Sequence, residues 1–539
     1  MPSTPTTKSQ VQAYRFVLRR MQSALVRKDA VMLHDPMRTH QRSVMAGVAL
    51  SVVALLGFLI FGIISPRAQP PNPGAVVVSE PSGGVYMAVD NDGMQLIPMT
   101  NMASARLLQM QLGVNADTVG KMDVIGDDVL ADIPRGQLTG LIGAPDYMPD
   151  ADRRISPSWA LCDVVELDTS LPNAEEAARP ETTVLAGVDD LPGEKMDEEQ
   201  ALLVYAEEQE EQKYLVYRPS GTDGGSRNIV RAPIDLDDDT VAAAVLDSGP
   251  TPRAVSLGFL NAIPEVAAFG APEIPNVGQP LDEPVQLSDG SDAQVGTVAF
   301  SERAAGDRAY YVLLQDGYQE IPEGVADLIR FDQDLTVAAP GIQSDQLSQI
   351  TQTENLLDVS DLPGLLPTPV SFSESEMSCF TWNGSDGATI DMRLGSEVVL
   401  PKSDEDSDVE MRAVTLTSAE HVDHFFMPPG NAAVVRAAAS EEGFDSGPLH
   451  FVSDRGVYYG IPDMEHVIGL GLASDSGGVD AAPESILGLL PSGPRLDQDD
   501  VSRVYDAVPF DDQGGNRLQL DPEDAQHDEP EDDSGFLGF

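Results

Sequence analysis

The run Val44-Met-Ala-Gly-Val-Ala-Leu-Ser-Val-Val-Ala-Leu-Leu-Gly-Phe-Leu-Ile-Phe-Gly-Ile-Ile64 decides how this chain is organised. It has 21 residues, with no charge and no proline. At ~1.5 Å per residue a helix of that length spans roughly 31 Å, the thickness of a bilayer's hydrocarbon core. Arg42 precedes it and Ser65-Pro66-Arg67 ends it, flanks that suit a membrane anchor better than a buried soluble helix. A cleaved signal peptide is disfavoured. The preceding segment is long, the apolar run exceeds an ordinary signal core, and no Ala-x-Ala site follows.

Charge orients the span. Up to Ser43 there are eight basic residues against only Asp29 and Asp35, whereas the rest of the chain holds 24 basic and 86 acidic residues, a balance of −62. The positive-inside rule puts the N-terminal side in the cytoplasm and the acidic bulk outside. A surface so negative repels phosphate backbones and anionic headgroups, which excludes nucleic-acid binding by the large part.

The cytoplasmic segment, 1–43, reads as a basic amphipathic helix. Thr7-x-x-Gln10 is a capping-box pattern, and Val11, Tyr14, Leu18, Met21, Leu25 and Met32 follow at three-and-four spacing. Arg15, Arg19, Gln22 and Arg27 occupy much of the remaining surface. Such a helix either lies on the inner leaflet or docks on a cytoplasmic partner, and docking is the preferred reading.

Beyond the span, 65–80 reads as a proline-rich linker. An apolar strand, a glycine turn, a second strand and a proline then recur. They run Val85–Val89, Asp92-Gly93, Ile97-Pro98, and again Tyr310–Leu314, Asp316-Gly317, Ile321-Pro322. Looser copies are Phe451-Val452, Arg455-Gly456, Ile461-Pro462, and Tyr214–Tyr217 reaching Ile229-Val230 and Ile234-Asp235. These are hairpin signals. Each is followed by a short helical stretch and an apolar-x-x-apolar-Pro closure: Leu130 to Pro134, Leu260 to Pro264, Val359 to Pro363 and Leu487 to Pro491.

The expected fold is therefore α+β, with four ββα-type repeats (81–149, 202–278, 279–364 and 441–505) flanking a discontinuous β-rich central domain (150–201 and 365–440). Glu397–Leu400 and Ala432–Arg436 are expected strands of that domain. The tail from 506 to 539 is acidic, with eight acids among the thirteen residues Asp521–Asp533, a composition that favours disorder. The two cysteines sit in mirrored settings, Trp159-Ala-Leu-Cys162 and Cys379-Phe-Thr-Trp382, with the only two tryptophans. One disulfide joining Cys162 to Cys379 is expected outside the membrane, each indole packing beside the same sulfurs.

Catalytic motifs are missing. No Walker-type phosphate loop, Gly-x-Ser-x-Gly elbow or His-Glu-x-x-His zinc helix occurs. His421-Val-Asp-His424, with Glu420 and Asp423, is the one metal-like cluster, and it reads as a polar surface turn. The expectation is a non-enzymatic chain with no cofactor and no metal.

Several segments together resemble the EccB family, the membrane-anchored component of type VII (ESX) secretion machines. They are Gln10-Val11-x-x-Tyr14-Arg15-Phe16-x-x-Arg19-Arg20, Ala24-Leu25-Val26-Arg27-x-Asp29, Met32-x-x-Asp35-Pro36, the two Cys–Trp elements and Pro428-Pro429-Gly430. The resemblance implies a structural membrane subunit that docks through Val11, Tyr14, Arg15, Phe16, Arg19, Arg20, Leu25 and Arg27. The implied partners are an EccC-like ATPase, an EccD-like multi-spanning subunit and an EccE-like subunit. It also implies self-association of the outer domains, with a mycosin-type protease as a neighbour. Two other classes compete: an envelope-polymer binder, which 6% aromatic content does not favour, and a weak extracytoplasmic nucleotide hydrolase.

Overall fold

The computed structural model describes residues 7–28, 36–64, 70–90, 93–113, 122–165, 170, 178–221, 228–245, 251–303, 306–333, 338–353, 356–384, 389–402, 411–417, 419, 421–439, 443–473 and 478–506. Met32, Asp92, Glu420 and the tail from Ala507 onward lie outside these residues. The chain is mixed α and β, and it divides into Met1–Pro70 and Pro71–Phe539.

The first unit holds two helices. Helix α1 (Lys8–Arg27) begins at the expected box: Gln10 N–H donates to the Thr7 hydroxyl, and Thr7 N–H donates to Gln10 Oε1. It ends where Lys28 turns left-handed, φ 52°, with Arg27 in the last turn, where a cation suits the helix dipole. Helix α2 (Pro36–Ile64) starts with proline at the position that needs no N–H donor. Its stretch Gln41–Phe61 is long and apolar enough to cross a bilayer.

In the second unit a seven-stranded sheet takes the order Val414–Thr415, His424–Phe426, Pro180–Ala186, Ser158–Val165, Met377–Asn383, Thr389–Gly395, Glu194–Lys195. Cys162 stands directly opposite Cys379 in the register, Trp159 opposite Trp382, and the two cysteines are bonded. One expectation is corrected here. Side chains alternate faces along a strand, so Trp159 and Cys162, three residues apart, point to opposite sides. The indoles join Leu161, Phe380 and Phe425 in the largest core, while the sulfurs pack with Leu185, Met377 and Phe426 on the other face.

Four smaller sheets share one path. Three antiparallel strands are followed by a helix and a return parallel to the first strand. The first sheet runs Met94–Pro98, Val85–Asp90, Val76–Glu80, Met122–Gly126. The second runs Val230–Ile234, Lys213–Tyr217, Gln200–Ala206, Arg253–Val255. The fourth runs Tyr458–Ile461, Leu449–Ser453, Ala432–Ala438, Asp480–Pro483. In the third (Val298–Glu302, Arg308–Leu314, Gly317–Ile321) the return shrinks to a bridge between Phe300 and Gly341.

These paths correct several boundaries. The unit is larger than ββα, because a strand precedes each hairpin and another returns beside it. Val76–Glu80 belongs to the first sheet rather than the linker, and Ala432–Ala438 to the fourth sheet rather than the central domain. Both are apolar strands buried on two faces, which lack the alternation that marks a half-exposed strand. Glu397–Leu400 forms no strand; Val398 and Leu400 instead cover the disulfide face.

The proline closures secure edge strands. The carbonyl of Pro134 accepts from Leu96 N–H (2.9 Å), that of Pro264 from Arg231 (2.9 Å) and that of Pro491 from Tyr458 (3.0 Å). In the third sheet Thr351 fills this place, accepting from Tyr318 (3.0 Å). Val359–Pro363 lies elsewhere, with Leu362 O accepting from Ser220 N–H and Pro363 bridging Pro219.

Replacing Cys162 by Ser removes a link across 217 residues and should cost about 2–5 kcal/mol of stability. The two core tryptophans report it: the urea midpoint of their emission falls in C162S, and reductant then shifts it no further.

Candidate functional site

The docking residues expected from sequence all lie on α1, and none is buried. Tyr14 and Leu25 are 67% and 81% exposed. At 3.6 residues per turn, Val11, Tyr14, Leu18, Met21 and Leu25 form one stripe. Arg15 and Arg19, four apart, run along one flank of it. Phe16, Arg20 and Arg27 fall on the far side. The eight residues therefore do not share a face; they divide into an apolar stripe with an arginine border, and a separate aromatic and arginine patch.

The histidine pair diverges. His424 Nε2 meets Glu181 at 2.5 Å and its Nδ1 meets the Thr415 hydroxyl at 3.3 Å. His421 faces Glu208 at 3.9 Å. Among the described residues no three His, Cys, Asp or Glu side chains are arranged to hold a metal.

Sequence reasoning missed the most enclosed ionisable group. Asp163 follows Cys162 but, by alternation, faces the tryptophan side. Its Oδ2 accepts Ser256 N–H (2.7 Å), and its Oδ1 accepts the hydroxyls of Thr182 (2.8 Å) and Ser256 (3.1 Å). Ser256 Oγ in turn accepts Phe259 N–H and caps the helix Leu257–Ala262. One carboxylate thus ties the central sheet to the exit of the second sheet. Burial pushes Asp163 up to about 6; the bonds from Ser256 and Thr182 pull it down, and nearby Asp423 pushes it further up. The only hint in the sequence is an acid inside the apolar strand Trp159-Ala-Leu-Cys-Asp-Val-Val165.

Two buried arginines make similar ties. Arg106 Nη1 donates to Leu470 O (2.6 Å), joining the first sheet's helix to the fourth unit, and burial lowers its pKa. Arg253 donates to Val370 O (3.1 Å) and stacks 4.8 Å from the Phe372 ring; burial lowers it to about 10.

The Asp163 tie carries a pH signature. Its folded pKa lies above the ordinary 3.8, so the folded chain holds an extra proton between about pH 4 and 6, and this group's contribution is fully favourable in acid and lost as pH rises through 6. Asp163→Asn keeps the shape without the charge. Tryptophan-monitored denaturation should show D163N stabilised at pH 7.5, by up to roughly 3 kcal/mol, with a flatter dependence between pH 4 and 6.

The family described as Type VII secretion system ESX-1, transport TM domain B (EccB) matches residues 3–510. An ESX-3 secretion system ATPase EccB3 of Mycolicibacterium smegmatis is 30% identical over 513 residues, 93% of this chain and 91% of the relative. An ESX-5 secretion system ATPase EccB5 of Mycobacterium tuberculosis is 28% identical over 523 residues, 94% and 95% of the two chains. Among solved structures, a chain of an intact ESX-5 inner membrane complex superposes with TM-score 0.64 at 25% identity, covering 96% of this chain and 99% of that one. A chain of the EccB3 dimer from the ESX-3 core complex gives 0.62 at 25%, covering 80% and 100%. One apolar span behind a basic foot places this protein in the inner membrane, with its large acidic body outside. The chain belongs to the EccB family, and is a membrane subunit of a type VII secretion system.

Proposed function

We propose that this chain is the structural foot and outer scaffold of its secretion complex, docking on cytoplasmic parts of motor and channel subunits (EccC-like, EccD-like and EccE-like) through α1. The observation that carries this reading is α1 itself: a capped helix that buries none of its residues, with an apolar stripe bordered by arginines, ahead of one anchor. An isolated helix gains most of its stability from a face it buries, so an uncovered stripe implies a partner. Arginine and aromatic anchors are what interface hot spots favour.

Outside the membrane, the four sheets of common path act as repeat units around the central sheet, giving a stiff body that packs on its own copies and neighbours a mycosin-type protease. The common strand order and the repeated edge closure support this reading.

The role is non-enzymatic in this reading, although the relatives' names include ATPase. The sequence has no phosphate-cradling loop, and His421 and His424, the one metal-like pair in the sequence, point to different acids. With ATP, the purified full-length chain should show no turnover; a rate that persists through purification and disappears in a single-residue variant would overturn this.

Arg19→Glu with Arg20→Glu reverses charge on two sides of α1. The pair should lose roughly 2–4 kcal/mol of docking energy, read as loss of co-purifying ATPase and multi-spanning subunits in mild detergent, while tryptophan emission stays native. Full recovery of those subunits would remove docking from these arginines.

A further inference from the structure

The return strand of the first sheet, Met122–Gly126, differs from its counterparts. It pairs with Val76–Glu80 on one side only. Among the described residues its other edge has no backbone partner. Met122 and Val124 are 46% and 64% exposed. In register with Val76 and Val78, they extend the apolar face covered by the helix Met102–Gln111, but lie beyond its cover.

The same position elsewhere is overlaid by another segment of the chain. In the third sheet, the turn at Ser288 reaches Gly341: Ser288 N–H donates to Gly341 O (2.9 Å) and Gly341 N–H to Ser288 Oγ (3.0 Å). In the second, Arg253–Val255 is buried under Val370 and Phe372. In the fourth, Ala481 and Ala482 are buried, with Ala481 O lying against Gly384 at the end of a central strand. Among the described residues, this fold therefore covers the position with another segment three times and leaves it bare once. The bare edge also has a charged end: Asp127 and Asp128 follow Gly126, with Glu80 opposite it, while Asp123 lies near the other end; none of the four is in an ion pair among the described residues.

We propose that Met122–Gly126 is a strand-addition site for an extended segment of another protein, apolar at alternate positions and basic at the end lying beside Glu80 and Asp127. Backbone pairing supplies the attraction, Met122 and Val124 receive the apolar side chains, and the acids at the Gly126 end select the cation. A second copy of this acidic chain would bring like charge to the same edge.

The test uses the full chain in detergent and a labelled peptide of alternating valine and threonine with lysine at both ends, beside the same peptide with glutamate ends. The lysine peptide should bind, and should slow hydrogen exchange at the amides of residues 122–126 that point away from Val76–Glu80. The glutamate peptide should bind about tenfold more weakly, and Val124→Arg should weaken the lysine peptide by about the same factor; Val124→Thr should bind it nearly as well as the parent chain. Equal binding of both peptides, or no protection at 122–126, would overturn the proposal. So would protection already present, without peptide, at those outward-facing amides. If that protection is independent of protein concentration, the chain covers its own edge; if it grows with concentration and is lost in V124R, a second copy occupies it.

Discussion

Two strands, Ser158–Val165 and Met377–Asn383, lie side by side although 217 residues separate their cysteines. The chain between them builds the second and third sheets, so this pairing must close a very long loop before its own contacts reward it. Its antiparallel register then decides what each face of the central sheet can be. One side receives both indoles, Leu161, Phe380 and Asp163; the other receives the disulfide and its thin cover of Val398, Leu400 and Met411. The first face packs toward the second and fourth units, since its core also includes Phe259, Val435 and Leu487. The covalent bond thus sits away from the main core and fixes the register without occupying it.

The charge balance constrains the body differently. With so few cations outside the membrane, where they sit is informative. Arg106 and Arg253 are inside, each reaching a backbone carbonyl of a different segment. Lys195 and Arg218 both reach the single carboxylate of Asp391, from two different strand ends. A guanidinium can satisfy carbonyls that a hydrophobic side chain would leave unpaired. Most acids, in contrast, are on the surface, where water and salt screen them. Asp163 and Asp391 are buried; Asp391 has its two cations, whereas Asp163 is held by two hydroxyls and an amide, which is why burial dominates its titration.

Much of this was legible in the residues. A charge-free run of bilayer length, a Thr-x-x-Gln cap and two mirrored Cys–Trp elements are local signals, and the structure has the helix, the cap and the bond. The hairpins and three of the four closures were also readable. What escaped has a common cause. The strands opening each sheet are buried on both faces, so Gln200–Ala206 reads as an apolar run with no period, and Ala432–Ala438, expected as a strand, gives no sign of the sheet it opens. The side taken by Trp159 depends on alternation over three residues, which adjacency in sequence conceals. The Asp163 tie needs Ser256, ninety-three residues away, and no local pattern announces it. On α1 the residues were right for a helix surface, but their motif spacing spreads them around the cylinder.

The closures show what edge protection requires. A bare edge strand invites pairing with foreign chain. Proline at Pro134, Pro264 and Pro491 accepts through its carbonyl while having no N–H of its own to satisfy, and the residue two further on returns the second bond: Gly136 to Leu96, Val266 to Arg231 and Gly493 to Tyr458. The third sheet achieves the same with Thr351 and Thr353 on Tyr318. The carbonyl and the returning amide are therefore the necessary parts, and the proline ring is a convenience that sets φ in advance. Because that device is built onto the third strand of every sheet, the opposite edge carries the variation. There, the burial of Arg253–Val255 and Ala481–Pro483 depends on long-range packing, whereas Met122–Gly126 has none among the described residues. An edge closed by local sequence is closed in every unit; an edge closed by tertiary contact is closed only where the chain returns to it.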